Sequence, residues 1–417
     1  MINQKQELSP VNWKKLDREE RGRLLCKSVK IRKTAKGIWR VVSQTNPSKE
    51  YRVRFNGHNT YCDCPDCTIR KQKCKHIFAV EFYLRQEIDE KGKLTEKKGV
   101  KISYEQKWKA YDKSQTNEKI YFMKLLNDLT QYVEQPEYKF GRPKLPMSEM
   151  IFTAVMKIYS TFSLRRFMSD IKIAKEMGLI ETLPCYASVG HFLQKKELTP
   201  RLIELIKLSA LPLKEVEVDF AVDSTGFSTS RFARWFDYKW GKEKKQRIWI
   251  KCHAMCGVKT NIITSVSITE GHSNDSPQLA SLVKQTAESF EVREVSCDRA
   301  YSSRENLQLI SDVGALPLIP FKSNTSGRRD RGSGIWKKMY HYFLYKQDEF
   351  LEKYHKRSNI ETCWHQIKTK FKDNIRSKSA TAQVNELLCK VLCHNLCVVI
   401  QEINELGLKG EFIVEKD

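Results

Sequence analysis

The chain has 417 residues, enough for two or three domains, and at 40% apolar residues it is too hydrophobic to be a disordered polymer. Its 74 Lys and Arg against 50 Asp and Glu leave a formal charge of +24, which predicts a polyanionic partner, most simply nucleic acid. No run of 18 apolar residues exists, so no membrane span is expected, and the N-terminal MINQKQELSPVNWKK lacks the apolar core of a signal peptide. Thirteen scattered cysteines, an odd number, suit a reducing compartment with free thiols or metal ligands.

Residues 1–88 read as a first unit. IWRVVSQT and EYRVRFNG alternate β-branched and polar residues around the turn Asn46-Pro47-Ser48, predicting a strand pair. A cysteine cluster and the apolar helix HIFAVEFYLRQEI follow. Cys62-x-Cys64-x9-Cys74-x-His76 offers three thiolates and one imidazole, a complete tetrahedral set for structural Zn²⁺ with no open position. Free thiols beside so many Lys and Arg would be prone to oxidation without a metal. Cys67 is ambiguous, because Cys64-x2-Cys67 also has ligand spacing. The ββα order and the CxCx(n)CxH pattern resemble SWIM zinc domains, which implies a recognition role toward DNA or protein. Arg52, Arg54, Arg70, Lys71, Lys73 and Lys75 surround the site. Residues 89–103 begin with DEKGKLTEKKGVK, nearly devoid of apolar anchors, and read as a charged linker.

Residues 104–213 read as helical. EKIYFMKLLNDLTQYVEQ, SEMIFTAVMKIYSTF, LRRFMSDIKIAKEMGL, SVGHFLQKKEL and PRLIELIKLSA are separated by breaks at Pro143, Pro146, Gly178, Pro184 and Pro200. Short basic helices, one opening on Arg165-Arg166, suit a helix-turn-helix DNA-binding region, and they suit an ordinary bundle too. From 214 to 417 the period changes. VEVDFAVD, RIWIKCHAMC and NIITSVSIT predict three consecutive strands, then HSNDSPQLASLVKQTAESF a helix, EVREVSCD a strand, SSRENLQLISDVG a helix and ALPLIPF a strand. A long helix begins near Tyr354, and NELLCKVLCHNLCVVIQEI closes the domain. Three antiparallel strands followed by alternating helix and strand is the order of a ribonuclease-H-like α/β fold, a mixed sheet flanked by helices.

Asp223 ends the first of these strands and Asp298 the fourth. Those strands are neighbours in such a sheet, so both carboxylates emerge at one edge. A third acid stands in Tyr354-x2-Arg357-x3-Glu361-x6-Lys368, whose offsets of 3, 7 and 14 fall within roughly 60° of arc on an α-helix. Trp364 and Ile367 lie off that stripe and could pack the helix down. An exposed helix with i,i+4 charge pairs would carry the same residues. An acid at a strand end is usually only loop solvation, but three in order at element ends suit two-metal phosphoryl transfer, with ions about 3.5–4 Å apart. Asp219 shares strand parity with Asp223 but lies deeper, and Asp275 suits a helix N-cap region; both are second choices. Cys252 and Cys256 around His253, the i,i+4 set Cys389, Cys393 and Cys397, and His394 read as core residues.

With DSTG around Asp223 and DRAY after Asp298, the pattern resembles the DDE transposases of bacterial and archaeal insertion sequences. The YREK signature is matched at all four positions, over about residues 140–400. The resemblance implies that Asp223, Asp298 and Glu361 hold two Mg²⁺ or Mn²⁺ ions, while Tyr354, Arg357 and Lys368 contact the transposon-end strand. It also implies cut-and-paste transposition at terminal inverted repeats, double-stranded DNA as partner (element ends and target), a homodimer on DNA, and a cytoplasmic, nucleoid-associated location in a prokaryote. Only 62 residues separate Asp298 from Glu361, too few for the large β insertion that some members carry there. A DNA-binding product that no longer cuts, or a nuclease of the same fold recruited elsewhere, would share these residues. Short inverted repeats and a target duplication flanking the gene distinguish transposition from both.

Overall fold

The structure is a computed structural model. It describes residues 17–29, 31–35, 37–43, 49–56, 59–70, 72–84, 86–88, 94–96, 107–137, 140–141, 143–229, 249–321, 325, 334–408, 410 and 412. The chain divides into two compact units, residues 1–105 and 106–417.

In the first unit, helix Arg18–Ser28 starts from a capping box in which Asp17 and Glu20 satisfy each other's backbone amides. Strands β1 (Ile31–Ala35), β2 (Ile38–Val42), β3 (Glu50–Asn56) and β4 (Asn59–Cys62) form an antiparallel meander. Helices Pro65–Arg70 and Lys75–Leu84 follow. Gly22 lets Arg18–Ser28 lie against Lys75–Leu84, since a Cβ there would come within 2.4 Å of the Phe78 side chain. The sheet therefore has four strands where the sequence predicts two. IRKTA buries only its first residue, so its edge position leaves no alternation to read. The apolar helix ends at Leu84, and β5 (Gln86–Ile88) pairs with β6 (Leu94–Glu96) inside the stretch expected as linker. The rest of that linker, and the 46–48 turn, lie outside the described residues.

In the second unit the five expected helical segments are helices: Glu118–Thr130, Met147–Tyr159, Leu164–Glu176, Tyr186–Phe192 and Leu198–Ala210, preceded by Trp108–Thr116. Five strands then build a mixed sheet in the order β11-β10-β7-β8-β9. β7 (Asp219–Ser228), β8 (Trp249–Gly257) and β9 (Ile263–Glu270) are antiparallel neighbours, and β10 (Glu294–Cys297) and β11 (Leu316–Leu318) add in parallel. This is the ribonuclease-H-like sheet the strand order predicts. Helices Leu279–Ala287 and Arg304–Asp312 make the crossovers.

The C-terminal segment corrects one expectation. The stretch from Tyr354 to Lys368 is not a single helix: Gln347–Tyr354 gives way to a 3₁₀ turn, His355–Arg357, and then to Ser358–Phe371. Trp364 and Ile367 are buried as expected. Helix Ala380–Leu406 runs through the core against Leu198–Ala210, Met147–Tyr159 and Trp108–Thr116, and one continuous cluster joins Phe122, Ile151 and Leu202 to Val222, Ile263 and Leu392. The 104–213 helices thus share their core with the sheet. Among the described residues no helix is long and apolar enough to cross a membrane.

Asn395 fastens this core. Where the β8–β9 register slips between Met255 and Cys256, its side chain imitates a peptide group. Oδ1 accepts from the Ile263 amide at 3.0 Å, and Nδ2 donates to the Ile263 carbonyl at 2.7 Å and to Ser209 Oγ at 3.0 Å. Replacing Asn395 with Leu would strand two buried backbone groups, at about 1–3 kcal/mol each. The Asn395→Leu protein is expected to lose roughly 2–6 kcal/mol of stability, read as an earlier unfolding midpoint in urea.

Candidate active site

Strand β7 runs apolar and buried from Phe220 to Val222, as an inner strand covered on both faces should. Its parallel pairing with β10 sets Val222 opposite Cys297. The next residue after each is an aspartate, so Asp223 stands level with Asp298, about one strand spacing away (~4.8 Å). Asp298 is the first residue past the end of β10, but Asp223 does not end its strand as the sequence predicts: β7 runs on to Ser228, paired with β8 throughout. Asp298 also caps the turn Arg299–Tyr301, accepting the Ala300 amide at 2.7 Å, which fixes its backbone where β10 stops.

Glu361 approaches from the first turn of Ser358–Phe371, with 60% of its side chain exposed. Burial pushes the Asp223 carboxyl up to about 6; the Ser224 amide and Arg357 pull it down, and the charges of Asp298 and Glu361 push it up. Both other acids therefore lie within electrostatic reach of Asp223. Arg357 donates to Glu361 at 2.8 Å. Side chains three apart eclipse in a 3₁₀ turn, and the Arg357 guanidinium sits 5.9 Å from the centre of the Tyr354 ring. Burial opposes the Arg357 charge, but Tyr354, Asp223 and Glu361 outweigh it and hold the guanidinium above its usual range.

Lys368 lies two α-turns beyond Glu361 and further along β7. Its ammonium donates to Thr225 Oγ1 at 2.6 Å and stands 5.3 Å from the Phe227 ring centre. Burial pulls it below the usual lysine range. Of the six residues singled out in the sequence, Asp223 lies on β7 and Lys368 bonds to it, Asp298 stands level with Asp223, and Tyr354, Arg357 and Glu361 form a chain of contacts whose charges reach Asp223.

The second-choice acids have other partners. Asp219 is bound by Arg293 at 2.8 Å and Lys356 at 2.9 Å, and Lys356 and Lys353 both reach Glu294. That network ties the 353–357 segment to the sheet. Asp275 does not cap with its side chain; it accepts from Ser224 Oγ at 3.0 Å and Lys251 at 2.6 Å, with His253 at 3.4 Å. This cluster beside Asp223 is missed by sequence reasoning, since its members come from two strands and a loop. Only the strand parity of Lys251 and His253 hints at it. His253 is otherwise a core residue, bonded to Thr269 Oγ1 at 2.8 Å. Cys389, Cys393 and Cys397 are buried, and His394 bonds the Asn261 carbonyl at 2.9 Å.

In the first unit, Cys62, Cys64, Cys74 and His76 bring one ligand atom each within 4.8 Å of one another, all four residues buried. His76 turns Nδ1 inward, 3.9 Å from Cys62 Sγ and 3.8 Å from Cys74 Sγ. Hydrogen bonds from Cys62, then Cys74, His76 and the Cys67 amide, push the Cys64 thiol far below its ordinary range. Cys67 stands outside the set and supports it through that amide, 3.5 Å from Cys64 Sγ. Three soft sulfurs and one imidazole in this arrangement fit a tetrahedral metal ion.

The mixed sheet and its flanking helices form a ribonuclease-H-like α/β domain, with Asp223 within β7, Asp298 just past β10 and Glu361 on the helix Ser358–Phe371. Among the described residues, only the Cys62, Cys64, Cys74 and His76 set brings its ligand atoms within 4.8 Å of one another; the three acids stand further apart. Residues 214–396 match the transposase DDE domain family. That family cleaves and transfers DNA with the help of divalent metal ions. No curated protein matches the chain. Among solved structures, the chain is similar to a piggyBac transposase seen by cryo-electron microscopy in a synaptic complex with hairpin DNA. That similarity has 12% identity and a TM-score of 0.33, over 73% of this chain and 77% of that one. Among the described residues between Asp298 and Glu361 the structure has three helices and the short strand β11, with no β insertion.

The Asp223 carboxyl gives a stability signature. It titrates near 6 when folded against 3.8 as a free group, so its ionisation opposes folding from about pH 4 upward and fully above pH 6. In ion-free buffer Asp223→Asn is therefore expected to melt higher than the parent at pH 7.5. The difference should vanish by pH 4 in paired calorimetric scans.

Proposed function

We propose that the protein is a cut-and-paste DNA transposase acting on the terminal inverted repeats of its own element. The convergence of Asp223, Asp298 and Glu361 carries the reading. Three carboxylates offer hard oxygen donors of the kind Mg²⁺ and Mn²⁺ prefer, and their mutual repulsion is what bound cations relieve. Two such ions, when bound, would supply Lewis-acid stabilisation of the attacking and leaving oxygens of a phosphodiester.

The chain's own residues do the positioning. Arg357, already between the acids and Tyr354, would turn its guanidinium from Glu361 to a DNA phosphate as cations take over the carboxylate. Tyr354 backs it, and Lys368 holds the strand further along β7. A water would attack the phosphodiester at the element end, releasing a 3′-hydroxyl that attacks target DNA in line. Two ends joined in one reaction need two such sites, hence a homodimer on DNA. The Cys62, Cys64, Cys74 and His76 set would hold structural Zn²⁺ and stiffen a small basic unit for recognition.

Two measurements test this reading. Purified protein with Mg²⁺ or Mn²⁺ should nick labelled DNA from the element's own end. Glu361→Ala should lower that rate by at least roughly 10³-fold, as loss of several kcal/mol of transition-state stabilisation requires, with DNA affinity retained. Normal nicking by Glu361→Ala would sink the assignment. For the zinc set, Cys74→Ser should lose bound metal in elemental analysis and remove the protease resistance of residues 17–84. Retention of both would exclude a structural ion there.

A further inference from the structure

A cavity of about 580 Å³ opens beside the far end of helix Ser358–Phe371 and is lined by none of the six candidate active-site residues. Lys157, only 7% exposed, lines it. Burial, then repulsion from Arg376, pushes its ammonium down to about 8, and among the described residues it has no hydrogen bond or ion pair. An unpaired ammonium in such a place is costly, and a counter-ion would relieve the cost.

The charge of Glu386 supports the Lys157 ammonium only from a distance, with no ion pair between them, and burial outweighs it. Glu386, the acid lining the cavity, accepts the Arg376 amide at 3.0 Å and the Ser377 amide at 2.8 Å, and its nearest cation is Lys390 at 3.8 Å. Lys390 donates to the Lys372 and Asn374 carbonyls at 3.0 and 2.7 Å. Lys157, Arg376 and Lys390 therefore outnumber the one carboxylate. Two helix N-termini add to the field: Ser163, which caps Leu164–Glu176, and Ser379, whose side chain makes no capping bond to Ala380–Leu406, both line the cavity. Phe162 and Tyr186 give its mouth apolar faces, and Arg165 lies over the Tyr186 ring at 4.9 Å.

We infer that this cavity seats one phosphate group of a DNA strand, with Lys157 as its buried counter-ion. The inference rests on the transposase reading above and extends the path of the strand. The ammonium groups of Lys368 and of Lys390, which lines the cavity, stand 5.3 and 5.6 Å from the same Phe227 ring, so the cavity is a near neighbour of Lys368.

The test needs neither divalent ions nor cleavage, so a chain that fails to cut could pass it and a chain that cuts could fail it. In an anisotropy titration of a labelled 30-base-pair duplex against salt, Lys157→Met should bind more weakly. Its log–log salt slope should be shallower by about 0.9, the loss of one phosphate contact. Its melting temperature should be no lower than the parent's, since an unpaired buried charge has been removed. In wild-type protein the same duplex should shield Lys157 from acetylation, read by mass spectrometry. An unchanged slope, or equal acetylation with and without the duplex, would overturn the inference. Shielding by inorganic phosphate but not by the duplex would assign the cavity to a free phosphate and reject the DNA strand.

Discussion

The parallel register of β7 with β10 is the constraint on which the site depends. Because Val222 pairs with Cys297, the two following aspartates are brought level: Asp223 is held by strand pairing, and Asp298 by the turn it caps where β10 stops. Every later element serves that placement or exploits it. The ion pairs of Asp219, Arg293, Lys356 and Glu294 hold the 353–357 segment to the start of the same two strands, and Ser358–Phe371 then brings the charge of Glu361 within reach of Asp223. A slip of one residue between β7 and β10 would separate the aspartates and send one of them to the other face.

Electrostatics makes this placement costly in the protein by itself. The burial that raises the Asp223 carboxyl and the repulsion from Asp298 and Glu361 are unfavourable, and under the proposed function a divalent ion would relieve them. Basic residues on the same run of β7 do not neutralise the acids fully: Arg357 takes Glu361, while Lys368 is turned toward Thr225. One cation is thus paired with the acids and the other is held further along the strand.

Much of this was legible in the chain. The end of β10 could be read because the buried run EVSC stops at Asp298, and the cysteine set could be read because its ligands are close in sequence. The apolar run FAV also stops at an aspartate, but β7 continues to Ser228 because its polar half still pairs with β8. The four-stranded meander was not, since β1 is a polar edge. Helix Ala380–Leu406 reads as core, but nothing local says that Asn395 patches a slip between β8 and β9. The cavity around Lys157 was invisible for a similar reason: it is assembled from residues 157–164, 186–194 and 371–390, which no local pattern connects. The break at His355–Arg357 was hidden because no Pro or Gly marks it, and a 3₁₀ turn keeps nearly the same periodicity as an α-helix.

That break gives the spacing of the motif a physical meaning. Tyr354 and Arg357 are separated by three residues and lie on a turn with three residues per revolution; Arg357 and Glu361 are separated by four and lie where the helix has relaxed to 3.6. The uneven interval, three and then four, is the imprint of a change in helical pitch. An insertion or deletion at either interval would rotate the tyrosine and arginine about the axis relative to the glutamate, leaving all four residues present and the surface they form dispersed.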